Sequence, residues 1–135
     1  MEVPPLVQEP HPLMQYAHAA LVASGTATLE LGYLQTPSVV LYRVSPLTYW
    51  LGRLLIKIDR IAMVNIVLGK KMVPELIQKD LTVPGVAAAL EKYLTDPEYY
   101  QQVRRELARI REILGPPGAS QRAAEYIVQF MDSRA

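Results

Sequence analysis

Residues 21–30 constrain the fold of this chain more than any other segment. The sequence predicts a short apolar strand, a glycine turn at Ser24-Gly25, and a helix that begins at Thr26 and carries Glu30 in its second turn. Such a junction leaves the first N–H groups of the helix without intrahelical acceptors. Because the helix dipole adds positive potential at the same place, the junction favours an anion, and a phosphate group fits it. Glu30 is then placed to accept hydrogen bonds from sugar hydroxyls.

The rest of the chain continues the alternation of strands and helices. Strands are predicted at Ala20–Ala23, Ser38–Tyr42 and 61–64, and helices at 13–18, 26–34, 45–56, 84–94, 96–114 and from Ser120 onward, with a single turn at 65–68 closed by Gly69. This order predicts an α/β fold with a parallel sheet covered by helices. Doubly wound domains usually have about five or six strands. Three strands therefore predict the later part of such a domain, followed by C-terminal helices.

Length and composition predict one domain of ordinary globular character. Residues 1–12 are rich in proline and are expected to form an extended lead-in, and residues 13–135 are expected to form the domain. The formal charge of +1 gives no electrostatic reason to expect nucleic acid as a partner. No run approaches the roughly 20 apolar residues that span a bilayer, and the start lacks the features of a secretory signal. We therefore expect a cytoplasmic protein.

Few residues are available for metal or thiol chemistry. The chain has no cysteine, which excludes disulfides and thiolate metal sites. His11 and His18 are the two histidines, and neither belongs to a cluster with the spacing of metal ligands. We expect His11 to lie at the surface and His18 to be half-buried by packing.

Three motifs in the chain point to one family. Residues 24–30 read Ser-Gly-Thr-Ala-Thr-Leu-Glu, residues 42–50 read Tyr-Arg-Val-Ser-Pro-Leu-Thr-Tyr-Trp, and Asn65 is followed by Val-Pro-Glu-Leu at 73–76. Together and in this order they resemble the C-terminal half of lipid-A-disaccharide synthase, a bacterial glycosyltransferase that uses a UDP-sugar. The second motif is highly specific, whereas related UDP-sugar transferases carry junctions similar to the first.

The resemblance implies a glycosyltransferase of the GT-B type and gives roles to particular residues. The residues that it places in UDP-sugar binding are Ser24, Gly25, Thr26, Glu30, Arg43 and Asn65. Ser24, Gly25 and Thr26 would donate hydrogen bonds to the diphosphate, and Glu30 would accept them from the ribose. Arg43 and Asn65 are each expected directly after a strand, in the active-site cleft. The resemblance implies neither a metal nor a cofactor.

Each of these residues also has a purely structural interpretation. The hydroxyl groups of Ser24 and Thr26 can cap the helix that they precede, and Glu30 can be a solvated helix residue. Arg43 can pair with a neighbouring carboxylate, and Asn65 can cap the turn that ends at Gly69. For Tyr49 and Trp50, packing in the core is favoured over contact with a ligand.

The resemblance implies a reaction but also shows what this chain lacks. The family transfers a 2,3-diacylglucosamine from UDP to 2,3-diacylglucosamine 1-phosphate, which forms the lipid A disaccharide and releases UDP. The acceptor domain, the first part of the nucleotide domain and the catalytic base have no counterpart here, so the catalytic residues are unknown and the chain alone is predicted to be inactive. Lys70 also stands where the family has an arginine, which predicts weaker binding of phosphate.

Two further expectations concern partners. Arg53 and Lys57 fall on one face of a predicted amphipathic helix, which favours either a solvated face or peripheral contact with the inner face of the cytoplasmic membrane. The alternative to a donor-binding part is a non-catalytic truncated or split gene product that acts by binding a partner chain through an exposed sheet edge. The sequence leaves the oligomeric state open, a homodimer included.

Overall fold

A parallel sheet with helices packed on it forms the centre of the protein. The computed structural model describes residues 10–43 and 60–133. Its strands are β1 (Ala20–Ala23), β2 (Ser38–Tyr42) and β3 (Glu75–Ile77), and its helices are α1 (Pro10–Tyr16), α2 (Thr26–Tyr33), α3 (Met63–Leu68), α4 (Val83–Thr95), α5 (Pro97–Leu114) and α6 (Ala119–Asp132), with a 3-10 turn at Gln78–Asp80. The strand order is β1-β2-β3, and both pairs are parallel. The predicted α/β class is confirmed.

Strand β2 lies at the centre of the sheet and is apolar on both faces. Ser38 opposes Ala20 of β1, and Val40 opposes Glu75 of β3. Val39 and Val40 point to opposite faces and are both buried. This is the pattern expected of a parallel strand that is covered by helices on both sides.

Helix α5 supplies one wall of the core. Val103, Leu107 and Ile110 follow the spacing of one helix face, and all three are fully buried. Helices α2, α3 and α4 pack against α5. Gly32 lets α2 and α3 approach closely, because a Cβ atom at this position would lie 2.8 Å from Cγ2 of Val64.

The third strand was predicted in the wrong place. Residues 61–64 were expected to form it, but Met63–Leu68 is helix α3 and the third strand is Glu75–Ile77. Val64 and Leu68 are four residues apart and are buried together, which suits a helix. Gly69 ends α3 in the left-handed conformation (φ 69°), as predicted.

Other helix boundaries, and the buried face of α4, differ in detail from the prediction. Helix α1 begins at Pro10, so the end of the predicted extended lead-in is helical. The inner face of α4 was predicted from Ala87, Ala88 and Leu90, but the two alanines are exposed, and Tyr93 is its fully buried residue. Ser120 does not cap α6, which begins at Ala119 after Gly118.

The remaining predicted elements agree or lie outside the described residues. Helix α4 begins after Thr82, whose hydroxyl accepts a hydrogen bond from the N–H of Gly85 at 3.1 Å, as predicted. Asp96 caps α5 by accepting from the N–H of Tyr99 at 2.9 Å. The helix predicted at 45–56, with Tyr49, Trp50, Arg53 and Lys57, lies outside the described residues.

Candidate anion site at the carboxyl edge of the sheet

The carboxyl ends of β1 and β2 bring two of the predicted site segments together. Ser24 follows β1, and its N–H donates to the carbonyl of Leu41 in β2 at 3.1 Å. Arg43 follows β2 directly and is exposed. Since parallel strands end at the same edge of a sheet, the Ser24-Gly25 turn and Arg43 are neighbours there.

Helix α2 starts at this edge with backbone donors that remain accessible. Gly25 precedes the helix, no side chain caps it, and Gly25 and Thr26 are exposed. Within the described part of the chain, no acceptor bonds to the N–H groups of Gly25, Thr26 and Ala27. These groups and the dipole of α2 together give the edge a positive potential.

A threonine that the sequence did not single out holds this turn in place. Thr28 is fully buried, and its hydroxyl donates to the carbonyl of Gly25 at 2.8 Å. Its N–H points to the same carbonyl at 3.2 Å. The interpretation of the Ser24 and Thr26 hydroxyls as helix caps is not supported, because neither hydroxyl makes a hydrogen bond to the described residues.

Thr26 and Glu30 line one groove beside α2. They lie four residues apart on the same face of the helix, and the groove has a volume of about 440 Å³. Its other walls are largely apolar and come from His11, Leu29, Tyr33, Leu34 and Leu114. Glu30 forms no ion pair with a described residue, so its carboxylate is available as an acceptor at the groove wall.

Asn65 lies apart from this edge. It belongs to α3, not to the end of a strand as predicted, and its side chain is fully buried. Its amide donates to the carbonyl of Val73 at 2.9 Å and to Oε1 of Glu75 at 2.7 Å. Its Oδ1 accepts from the N–H groups of Met72 at 2.8 Å and Val73 at 3.0 Å. All four hydrogen-bonding positions of the amide are therefore occupied by the protein itself.

Glu75 is the partner that the sequence alone did not assign. It is 7% exposed, and its carboxylate accepts from the N–H groups of Ile61 at 2.9 Å and Ala62 at 3.2 Å, in addition to Asn65. The first two donors lie at the start of α3, where a carboxylate also interacts favourably with the helix dipole. The Val-Pro-Glu-Leu motif marked this residue, but nothing local in the motif indicates what it binds.

Lys70 and His18 contact residues outside the candidate site, whereas His11 lines the groove beside α2. Lys70, which stands in place of the family arginine, lies in the loop before β3 and pairs with Glu106 of α5 at 2.6 Å. This pairing, more than the one with Arg109, lowers the pKa of the Glu106 carboxyl.

His11 is at the surface, as predicted. His18 is exposed, although it was predicted to be half-buried, yet it stacks on Tyr100 with ring centroids 4.1 Å apart.

The described residues contain neither a metal-binding cluster nor a membrane-spanning helix. No group of three or more histidine, aspartate or glutamate side chains in ranges 10–43 and 60–133 is arranged to hold a metal ion. In the same ranges, no helix combines the length and the apolar character needed to cross a bilayer.

The fold and the edge define an open-sheet α/β protein with accessible anion donors where its parallel strands end. A family model described as lipid-A-disaccharide synthetase matches residues 4–129. The chain therefore belongs to the lipid-A-disaccharide synthase family, whose members are glycosyltransferases.

Individual relatives agree with the family model. Lipid-A-disaccharide synthase of Geobacter sulfurreducens is 43% identical over 119 residues, which cover 88% of this chain and 31% of the relative. The synthase of Syntrophus aciditrophicus is 48% identical over 108 residues (80% and 28%), and that of Persephonella marina is 37% identical over 118 residues (87% and 31%). The chain thus spans 28–31% of the length of these relatives.

Proposed function

We propose that this chain is the UDP-sugar-binding part of a lipid-A-disaccharide synthase. The observation that carries the proposal is the start of α2, where the N–H groups of Gly25, Thr26 and Ala27 bind no acceptor among the described residues and where Arg43 follows the neighbouring strand. Backbone donors at a helix start bind phosphate oxygens, and arginine can add a bidentate contact. Ser24, which stands at the same turn, can add its hydroxyl.

The proposed chemistry uses these groups to stabilise a leaving nucleotide. When the bond between the sugar and UDP breaks, negative charge develops on the diphosphate. Donors that are already fixed at the edge of the sheet can stabilise this charge without reorganising during the reaction. Glu30 would accept from the ribose hydroxyls in the groove that it shares with Thr26. No step of this proposal requires a metal or a cofactor.

The complete reaction extends beyond this chain. By the proposal, 2,3-diacylglucosamine passes from UDP to the hydroxyl of 2,3-diacylglucosamine 1-phosphate, with inversion at the anomeric carbon and release of UDP. The acceptor site and the general base are assigned to the part of the relatives that this chain does not match. The chain alone would therefore bind UDP without catalysing transfer. Because the substrates are acylated, we place the protein in the cytoplasm, in peripheral contact with the membrane.

A second function is favoured by the open edge of β1. Within the described residues, β1 pairs with β2 alone, and Leu21 is 48% exposed. An unpaired strand edge with apolar side chains can accept another strand. The chain would then act by association with a partner that carries the remaining strands, with or without catalysis.

Titration calorimetry with UDP tests the first proposal. We expect saturable binding to the intact chain, and an affinity about tenfold lower for Glu30→Ala, because a hydrogen bond to a charged acceptor is lost. Glu91→Ala is the matched control, since it removes an exposed glutamate from α4, a helix that contributes no residue to the groove. Absence of binding by a folded chain would overturn the proposal. Equal losses in both variants would overturn the role of Glu30.

A further inference from the structure

Asn65 and Glu75 form a buried polar connection between α3 and β3. We call Asn65, Glu75 and the backbone groups that they bind at 61–62 and 72–73 the Asn65–Glu75 latch. Its bonds join residues that are between 7 and 14 positions apart in the chain. In the described residues, no buried side-chain nitrogen or oxygen lacks a partner, so every polar atom in the latch is satisfied.

The latch is connected to both segments of the anion site. On one side, β3 pairs with β2, where the N–H of Val40 donates to the carbonyl of Pro74 at 2.8 Å, and β2 ends directly before Arg43. On the other side, Val64 of α3 packs against Gly32 of α2, the helix whose first turn forms the site. A shift of α3 relative to β3 would therefore move the two supports of the site.

We propose that Asn65 and Glu75 are positioning residues for the UDP-sugar site, an inference that rests on the proposed function. Neither side chain is offered to a ligand: Asn65 is fully buried, and its amide is saturated by protein groups. They act by holding α3 against β3, and thereby fix where the start of α2 and Arg43 stand relative to each other. Fully satisfied buried networks of this kind make the arrangement of elements unique and rigid.

The variant Asn65→Asp distinguishes a positioning role of Asn65 from direct contact between Asn65 and the ligand. The substitution places a second carboxylate at hydrogen-bond distance from Glu75, and two carboxylates that share a site cannot both ionise at low cost. The pKa of one member rises in the folded state above its unfolded value. Stability is therefore retained at low pH, where the pair shares a proton, and is lost as the pH rises through the folded pKa.

Other charged groups near α3 do not account for such a change. Lys70 and Arg109 both pair with Glu106 on the α5 side, and the lowered pKa of Glu106 keeps it ionised in the range tested. Glu30 on α2 lines the groove, and Arg60 is a further charged residue next to Ile61. The pH dependence is thus specific to the introduced pair.

The experiment measures the thermal midpoint and the UDP affinity of the same chain at about pH 5 and about pH 8. For Asn65→Asp we expect, at the higher pH, a midpoint lower than the parent by about 10 °C and an affinity lower by about tenfold. At the lower pH, both differences should shrink by at least about half. Ile66→Asp is the matched control, because it places a carboxylate on the exposed side of the same helix, and it should show neither effect.

A double variant keeps the test decisive where the single variant does not fold at the higher pH. Asn65→Asp combined with Glu75→Gln removes the pair of carboxylates, so the difference in midpoint from the parent should no longer depend on pH. If the difference in midpoint between the double variant and the parent still depends on pH, the proposed interaction between positions 65 and 75 is overturned.

The remaining outcomes of the single variant also decide the question. Loss of UDP affinity with an unchanged midpoint would make Asn65 a ligand contact and overturn the proposal. A lowered thermal midpoint with unchanged UDP affinity would overturn the positioning role. The latch would then contribute to stability only. Failure of the parent chain to bind UDP would overturn the proposed function, and the positioning role with it, while the pH-dependent midpoint would still report on the latch.

Discussion

At the scale of single residues, Gly32 is the described glycine at which an added Cβ atom would lie closest to a neighbouring atom. A Cβ atom there would lie 2.8 Å from Cγ2 of Val64 and 3.5 Å from Cγ1 of Ile110. Val64 is buried and branched at Cβ, so it cannot rotate away easily. Gly32 is therefore required by close approach of α2 and α3 and not by its backbone conformation.

We predict that Gly32→Ala destabilises the protein by about 1 kcal/mol. Overpacking costs about 1–3 kcal/mol, and the better helix propensity of alanine offsets about 1 kcal/mol of it. In the background of Val64→Ala, the same change should stabilise, because the clash is gone. Urea unfolding of the parent, the two single variants and the double variant measures the coupling energy between positions 32 and 64. A cost that is the same in both backgrounds would contradict the packing argument.

The local conformation of some candidate site residues could be predicted from the sequence, and the surroundings of others could not. The turn at Ser24-Gly25, the helix start at Thr26 and the strand end before Arg43 were predicted from local signals, because a turn and a strand end are encoded by adjacent residues. The surroundings of Asn65 were not, because its four hydrogen bonds go to residues 7–10 positions further along the chain. A motif can mark such a residue, but only the fold shows whether it faces a ligand or the core.

At the scale of elements, the first half of the sheet was predictable and the second was not. Strands β1 and β2 have apolar runs bounded by clear turn signals, and both were confirmed with their predicted ends. The short apolar run at 61–64 fits a strand or a helix equally well. The deciding groups are the carboxylate of Glu75, which binds the N–H groups at the start of α3, and the core that Val64 enters.

Among the described residues, Tyr93 is the fully buried side chain of α4, and its hydroxyl joins this helix to the sheet. Tyr93 is fully buried, and its hydroxyl donates to the carbonyl of Ser38 at 3.1 Å. Burial, with a further contribution from Tyr99, raises the pKa of this hydroxyl far above its ordinary value. The folded protein therefore keeps Tyr93 protonated at a pH where the unfolded chain ionises it.

We predict that alkaline conditions destabilise the protein partly through Tyr93. The contribution of this residue is fully present below about pH 10, the ordinary pKa of tyrosine, and is lost as the pH rises above it. Tyr93→Phe should cost about 1 kcal/mol at neutral pH through the lost hydrogen bond, and should flatten the decline above about pH 10. Chemical unfolding across this range measures both effects. Tyr126→Phe on exposed α6 is the control, and a decline as steep as the parent's in Tyr93→Phe would contradict the prediction.

At the scale of the whole molecule, the edge of β1 that no described strand pairs with is the surface that decides association. The N–H groups of Ala20 and Ser24 donate to Pro37 and Leu41 on the β2 side. Because backbone groups alternate along a strand, the N–H groups of Leu21 and Ala23 point to the open side. A strand that docks there would bind these two groups.

We predict that Leu21→Pro blocks association at this edge and leaves the β1–β2 pair intact. Proline removes one outward N–H, and its ring occupies the docking side. The partner for the test is the portion of the Geobacter sulfurreducens synthase outside its matched region, co-expressed with this chain. Co-purification should be lost for Leu21→Pro and retained for Leu21→Ala. Equal recovery with both variants would place the interface elsewhere.

The claim that the UDP-sugar binds where the parallel strands end is tested most directly by an NMR titration of the labelled chain with UDP. We predict that the largest shifts fall on the backbone amides of Gly25, Thr26 and Ala27 and on Arg43. We expect the side-chain amide of Asn65 to keep its resonance, because it stays bound to Val73 and Glu75. Large shifts confined to Asn65 and its neighbours, or no shifts in a folded chain at saturating UDP, would contradict this claim.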